Sequence, residues 1–394
     1  MNRIKKYLSP PNVFFVISVI NIFIMFTMLI ITNGKAVLTM GYGDSLFCDF
    51  WAHINRLLNY ENIYGNLKDA DAIFPPLAYC FMMFFAKMIA FKNVDGTTTR
   101  DIATSGYGIL VLIMYLILFV VIFVQVINYA YKENTHYKSF LILVFMCSYP
   151  FWGCAFERGN PVIWAMLFLL LGLILRNHEK WYIREIALIC IAISAGFKIY
   201  PAIFGMLYIA EKRMKEACRL IVYGLMSFFV PFLLLGERAN FIDYLGTFER
   251  YLGKEVYSQT SIIGNCVMLL GDYGVVFGKI IIVVLFICVL GYLFIEKANW
   301  KSIALLTAIN TIVLPESYLY TYVYISIPLL FFLNEKRNEW KKIDYFYAVC
   351  FACVFTCPPY SLEVEGAIFR GIYFSWILLI AVIFSEKIFH LTKY

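Results

Sequence analysis

Long uninterrupted apolar runs dominate this 394-residue chain and leave few folds open to it. They fall near 13–32, 74–91, 106–130, 139–154, 161–176, 185–198, 199–210, 220–236, 274–295, 302–314, 318–333, 345–357 and 371–388. Hydrophobic residues make up 62% of the chain and charged residues 15%, against about 45–50% and 25% in soluble globular domains. A membrane β-barrel would alternate polar and apolar residues over segments of roughly ten. These runs are continuous, so the expected class is an all-α polytopic membrane protein. No soluble domain or low-complexity linker breaks the series, and residues 1–394 read as one integral membrane domain. The net charge of +7 fits basic loops held on the cytoplasmic side and is not read as nucleic-acid binding. The eleven cysteines are scattered. Cys350 and Cys353, with Cys357 following, have helical spacing in an apolar run without a nearby His, which points to packing rather than metal or redox chemistry. Arg3, Lys5 and Lys6 precede the first run. It exceeds a signal-peptide core and lacks a small-residue cleavage site, so it reads as a retained first span.

Topology follows from parity and charge. If every run crosses, the basic segment 211–219 falls outside. Keeping 74–91 on the outer side, as a re-entrant or interfacial helix opened by Pro75-Pro76, corrects this. Residues 33–105 then form one large first outer loop with seven acids against six Lys and Arg. The later basic loops, such as Arg176/Lys180/Arg184 and Lys212/Arg213/Lys215/Arg219, all fall inside. The expectation is about twelve crossings, both termini cytoplasmic and a second outer loop at 237–273. A rival fuses 185–210 into one helix kinked at Pro201, but it places loop 176–184 outside. Runs 185–198 and 199–210 are short against the roughly 20 residues of a straight crossing. Such helices are tolerated where they line a cavity.

An ionisable residue beside a bilayer is costly to desolvate and is a functional candidate by default. Residues 43–79 follow the first run directly. They carry Asp44 and Asp49 among aromatic residues, then Asn62-Ile63-Tyr64 and Phe74-Pro75-Pro76-Leu77. Tyr42, Phe50 and Trp51 can shield Asp49, and partial burial raises a carboxylate's proton affinity and suits it to general-base work. The bland alternative is a solvated loop acid or a helix cap. Asp44 reads as more structural. His53 shares the face of Asp49 if a helix starts there, to orient a carboxylate or an acceptor, or simply as an interfacial histidine. In Phe156-Glu157-Arg158-Gly159-Asn160 the charged pair is either an interfacial salt bridge or a phosphate site built on the planar donor fork of Arg158. Lys198, between two apolar half-helices, either snorkels or holds an anion.

In their order and outer placement these stretches resemble the motifs of GT-C glycosyltransferases, and within them the polyprenol-phosphate-mannose-dependent family 87. The likeness runs from 44 to about 325. Asp49 aligns with the family's first-loop Asp, which implies that it takes the proton of an acceptor hydroxyl. Gly159 and Asn160 match a G-Q-x-N-like motif, from which Glu157-Arg158 departs. Ala195 to Pro201, including Lys198 and Tyr200, looks like an A-x-K-x-x-P turn. Ser258-Gln259-Thr260-Ser261 resembles an N-Q-S stretch, which implies that Gln259 and Ser261 bond sugar hydroxyls. Leu314 to Tyr322 resembles a P-x-S-W-x-H segment, with Tyr320 or Thr321 near the place of the missing histidine. A tyrosine there offers only a neutral hydrogen bond at pH 7.

The resemblance implies a GT-C-like fold and an inverting transferase. It would move a hexose, mannose first, from a polyprenyl monophosphate to a glycan or glycolipid on the extracytoplasmic face. Lipid is the surrounding partner, and neither cofactor nor metal is expected. A bacterial plasma membrane is the expected location. Two rivals are a transporter or flippase, marked by internal repeats and mid-membrane charges, and a non-catalytic export subunit, which would tolerate loss of Asp49. No repeat is evident, and the candidates cluster on one face. Phosphate loops and hydrolase motifs are absent from the sequence.

Overall fold

The structure is a computed structural model that describes residues 9–33, 47–65, 74–90, 102–103, 105–131, 135–156, 158–252, 257–258, 260–295, 299–313, 318–335, 340–356 and 362–391. Among them there is no strand. The helices are α1 (Pro10–Ile31), α2 (Cys48–Asn59), α3 (Pro76–Ala90), α4 (Gly106–Ala130), α5 (Thr135–Cys147), α6 (Val162–Leu175), α7 (Trp181–Phe197), α8 (Met206–Ala210), α9 (Met214–Leu235), α10 (Phe241–Leu252), α11 (Ile262–Leu270), α12 (Tyr273–Ile295), α13 (Trp300–Ala308), α14 (Ser326–Leu333), α15 (Lys342–Val354) and α16 (Leu362–Leu391). Every apolar run of the sequence contains a helix. Several are tightened or widened: π-turns at Tyr149–Phe156 and Ile309–Val313, and 3₁₀ turns at Tyr200–Gly205 and Leu319–Ile325.

Among the described residues, four helical segments are long and apolar enough to cross a membrane: Pro10–Ile31, Gly106–Ala130, Met214–Arg238 and Tyr273–Ile295. They also expose apolar side chains that water would not tolerate over such an area, including Phe23, Ile30, Val276, Ile287 and Leu233. The chain is therefore a membrane protein, with lipid as the solvent of these faces. The 15-residue α3 is about 22 Å long. It has Tyr79, Met82, Phe85 and Ile89 buried.

The chain divides into two compact units that alternate along the sequence. One comprises 1–46, 131–157 and 257–394; the other comprises 47–130 and 158–256. In the first, Gly274 and Gly278 let α12 lie against α11, since an added Cβ would meet the backbone of Cys266 at 2.3 Å and of Ile263 at 2.9 Å. Glu386 of α16 accepts from Lys301 and from the Tyr347 hydroxyl, joining α13, α15 and α16. Trp376 donates from Nε1 to Thr311 at 3.0 Å.

The second unit is built on α6, which is apolar all round and almost wholly buried, as a central helix must be. Small residues bring its neighbours close. A Cβ on Gly172 would stand 2.6 Å from Ile191 of α7. Ser194 of α7 donates to the Ala165 carbonyl of α6 at 2.6 Å, and Ser227 of α9 donates to the Ala192 carbonyl of α7 at 2.8 Å. Gly196 admits Leu77 of α3 against the last turn of α7. This is packing by small residues and interhelical hydrogen bonds, the means available where lipid weakens any hydrophobic drive. It brings the end of α7 beside the start of α3.

The rival reading falls, and one expectation changes. The fused helix over 185–210 does not form. α7 stops at Phe197, Lys198 is extended (φ −148°, ψ 129°), and a 3₁₀ turn follows. The stretch after 237 is not an open loop in its first half. It folds as amphipathic α10, whose Tyr244 packs on Tyr64 and Phe228 with ring centroids 5.1 and 5.5 Å apart.

Candidate active site

The second unit gathers Asp49, Arg158, Asn160, His53 and Lys198 from three parts of the sequence. Asp49 occupies the first turn of α2, where a carboxylate meets the positive end of the helix dipole. The start of α2 is fastened by the carbonyl of Arg158, which accepts from the backbone N–H groups of Asp49 (3.0 Å) and Phe50 (3.2 Å). The chain can pass that closely because residue 159 is glycine. It has φ +63°, and a Cβ there would lie 2.6 Å from that of Phe50. Phe47, just before the helix, is also left-handed (φ 55°), a conformation costing a non-glycine residue about 1–2 kcal/mol. From below, Trp164 Nε1 donates to the Tyr115 hydroxyl (3.1 Å), which donates to the Gly159 carbonyl (3.3 Å).

Arg158 then meets Asp49 with both tines of its fork, Nε to Oδ2 at 3.0 Å and Nη2 to Oδ1 at 2.8 Å. Asn160 donates Nδ2 to Oδ2 at 2.7 Å, and its Oδ1 accepts from the Val162 N–H at 3.0 Å, fixing the entry to α6. Asp49 is 17% exposed and Arg158 32%. Burial pushes the Asp49 carboxyl up, but the Arg158 fork, the nearby His53 and the Asn160 amide outweigh it and hold the carboxyl below its ordinary range. The sequence reading expected burial to raise its proton affinity. The bidentate pair reverses that sign, because hydrogen bonds to the charged form favour it. The neighbouring Cys48 thiol is pushed up to about 11 by burial and by Asp49, so it is not a thiolate nucleophile at neutral pH.

His53 lies one turn after Asp49 on the same helix and is buried. Its ring meets Phe74 edge-on at 4.4 Å and Tyr79 at 5.3 Å. On the Phe74 ring sits the Lys198 ammonium, 3.5 Å from its centroid, a cation–π contact strengthened by desolvation. Lys198 is 7% exposed and stands in the turn beyond α7. Burial draws its ammonium down to about 7; Asp49 pulls it up and Arg158 pushes it further down. Tyr200 opens the 3₁₀ turn two residues on.

Sequence reasoning quoted the stretch that holds Phe74 and Tyr79 without giving either a part in the site, and it missed Tyr115 and Trp164. Their order in the chain gave no sign that they converge. It also missed the ties from the α2 segment to the later outer stretch: Arg238 Nη1 to the Leu57 carbonyl (2.6 Å), Asn62 to Asp243 (2.7 Å) and Thr247 to the Tyr64 carbonyl (3.0 Å). Ser261 and Tyr320 belong to the first unit. The Ser261 hydroxyl caps α11, accepting from the Gly264 N–H at 2.9 Å and donating to the Ser258 carbonyl at 2.8 Å. Tyr320 is half-buried against Tyr318, 5.8 Å between centroids. Asp44 and Gln259, like Glu157 and Glu316, lie outside the described residues. Among the described residues no group of three His, Cys, Asp or Glu is placed to hold a metal ion.

The result is a partly buried carboxylate ringed by two cations, a histidine and an amide, open enough at Arg158 for a ligand to reach. A fork of this kind binds phosphate as readily as carboxylate. No curated protein matches the chain. Residues 73–315, which include Arg158, Asn160 and Lys198 and begin after Asp49, match the model of glycosyltransferase family 87, and the chain is a glycosyltransferase belonging to that family.

Proposed function

We propose that the enzyme transfers a hexose, mannose first, from a polyprenyl-monophosphate sugar to a hydroxyl of a glycan or glycolipid. The observation that carries this reading is the Asp49–Arg158–Asn160 constellation with buried Lys198 beside it. In the proposed step the acceptor oxygen attacks the anomeric carbon in line. The bond from that carbon to the phosphate oxygen breaks, and the phosphate keeps the electron pair. Asp49, ionised at neutral pH, takes the hydroxyl proton. Inversion at the anomeric carbon follows from the single displacement. Arg158 and Lys198 steady the leaving phosphate, so the rate rests on positioning and electrostatics. No cofactor has a part in this scheme.

The proposed topology keeps α3 on the outer face, with about twelve crossings and both termini cytoplasmic. The shortness of α3 and the break at Lys198 support it. The proposed setting is a bacterial plasma membrane with the site facing outward. Membranes holding wild type or Asp49→Asn at equal expression are given radiolabelled polyprenyl-phosphate mannose. Transfer by wild type that drops at least about 100-fold in the variant is the expected result. Equal transfer by both removes Asp49 from the mechanism. No transfer by either rejects mannose, and a panel of other lipid-linked sugars then identifies the donor.

A further inference from the structure

The Nε–Nη2 face of the Arg158 fork is given to Asp49, yet the proposed chemistry asks the same guanidinium to hold a phosphate. Two tines, Nε and Nη2, are committed to the carboxylate. Its backbone is pinned, through its carbonyl on α2 and through Gly159 beneath. The side chain, 32% exposed, is the part that a ligand can reach. A carboxylate gripped in this way is a weak base, and a guanidinium gripped in this way is a weak anion site.

Charge resolves the conflict. Asp49 ionised, with Arg158 and Lys198 protonated, leaves one net positive charge, which matches a sugar phosphodiester with its single negative charge. After transfer the leaving monoester carries two negative charges, while Asp49, having taken the acceptor proton, is neutral. The trio then carries two positive charges. The totals match at both ends of the reaction, and once Asp49 is neutral the doubly charged phosphate is the anion that the Arg158 fork meets most strongly.

We propose that Arg158 is a shared ligand: it grips Asp49 with the Nε–Nη2 face, and the donor phosphate draws that face away, which frees the carboxylate to act as base. Donor binding thus switches on the base, and an acceptor arriving first meets a masked Asp49. This rests on the function proposed above.

The test reads binding, not transfer. The full chain in phosphatidylcholine nanodiscs is titrated with methyl farnesyl phosphate, a diester whose single charge does not titrate near neutrality. Wild type, Asp49→Asn, Arg158→Gln and the double variant are compared, each checked for folding by its melting curve. If carboxylate and phosphate compete for Arg158, Asp49→Asn binds the probe about tenfold tighter than wild type. That gain disappears when Arg158 is already Gln. A gain that persists in the Arg158→Gln background reports only the removal of a negative charge and overturns the exchange. Unchanged or weaker binding by folded Asp49→Asn, with wild type binding, overturns the exchange and leaves the proposed function standing. No binding by wild type or Asp49→Asn overturns both. If Asp49→Asn fails to fold, Asp49→Ser replaces it under the same criteria.

Discussion

Two charged clusters sit at the two ends of the α6–α7 hairpin, and they are built on opposite principles. At the turn between α6 and α7, Arg213 gives Nη2 to Glu216 (2.7 Å) and to the Arg176 carbonyl (2.9 Å), with its guanidinium 4.8 Å from the Tyr208 ring centroid. Arg176 meets Glu211 (2.8 Å), Arg184 meets Glu216 (3.3 Å) and Arg219 meets Glu185 (2.8 Å). These four arginines share three glutamates, so that each arginine meets at least one carboxylate. At the opposite end, among the described residues, Asp49 faces both Arg158 and the buried Lys198. The first cluster closes on itself and locks helix ends together. The second gathers two cations at one carboxylate, where a bound anion would meet both. Basic residues near helix ends look alike in sequence; what separates structure from chemistry here is whether carboxylates are shared between helix ends or cations, a histidine and an amide gather around one carboxylate.

The comparison is broken most sharply at Lys198. Lys198→Met is expected to raise the donor KM by roughly 100-fold, the order for losing one partner of a desolvated charge pair, while the melting temperature holds or rises because a buried cation is gone. A fall in melting temperature with an unchanged KM would make Lys198 structural. Gly159→Ala comes next. It puts a Cβ against Phe50 in a left-handed backbone, so the α2 start and the Arg158 fork shift together. Transfer should drop at least tenfold per folded molecule, beside a stability loss of about 1–3 kcal/mol.

pH sharpens the same point. Lys198 has its free-enzyme pKa drawn down to about 7, and a bound phosphate raises it. Affinity for a fixed-charge diester is therefore fully present below pH 7. It weakens by up to about tenfold per unit above that, until the bound-state value is reached. Lys198→Arg, which stays protonated, should flatten this slope in a binding titration. Asn160→Ala has the smallest effect. It removes one hydrogen bond to the carboxylate and one to the Val162 N–H, about 1–2 kcal/mol of stability, with a severalfold fall in kcat.

How much of this was legible in the sequence depended on which physical signal each element carries. Apolar runs announced their helices because lipid demands continuous hydrophobicity, and α6 and α12 were visible equally. Amphipathic α2 and α10 leave no such run. His53 was placed on the face of Asp49 only on the condition that α2 forms, and α10 was read as a solvated loop. Asp49, Arg158 and Lys198 were singled out because a charge near apolar helix ends is conspicuous, and Asn160 because it matches a G-Q-x-N-like motif. Their mutual geometry was not. Spacing along the chain does not reveal that the residue-158 carbonyl caps α2, nor that Gly196 brings Lys198 to Phe74. The sign of the Asp49 shift was misjudged for the same reason: burial can be guessed from flanking aromatics, but a bidentate partner 109 residues away cannot.

The central claim is that Arg158 serves chemistry and Arg213 serves the fold. The direct measurement pairs Arg158→Gln with Arg213→Gln and records, for each, lipid-linked sugar transfer per folded molecule and melting temperature. The account predicts that Arg158→Gln loses transfer by at least about 100-fold with little change in melting. Arg213→Gln should lose about 1–3 kcal/mol of stability while its folded fraction transfers normally. Full transfer by Arg158→Gln, or an inactive but stable Arg213→Gln, would contradict it.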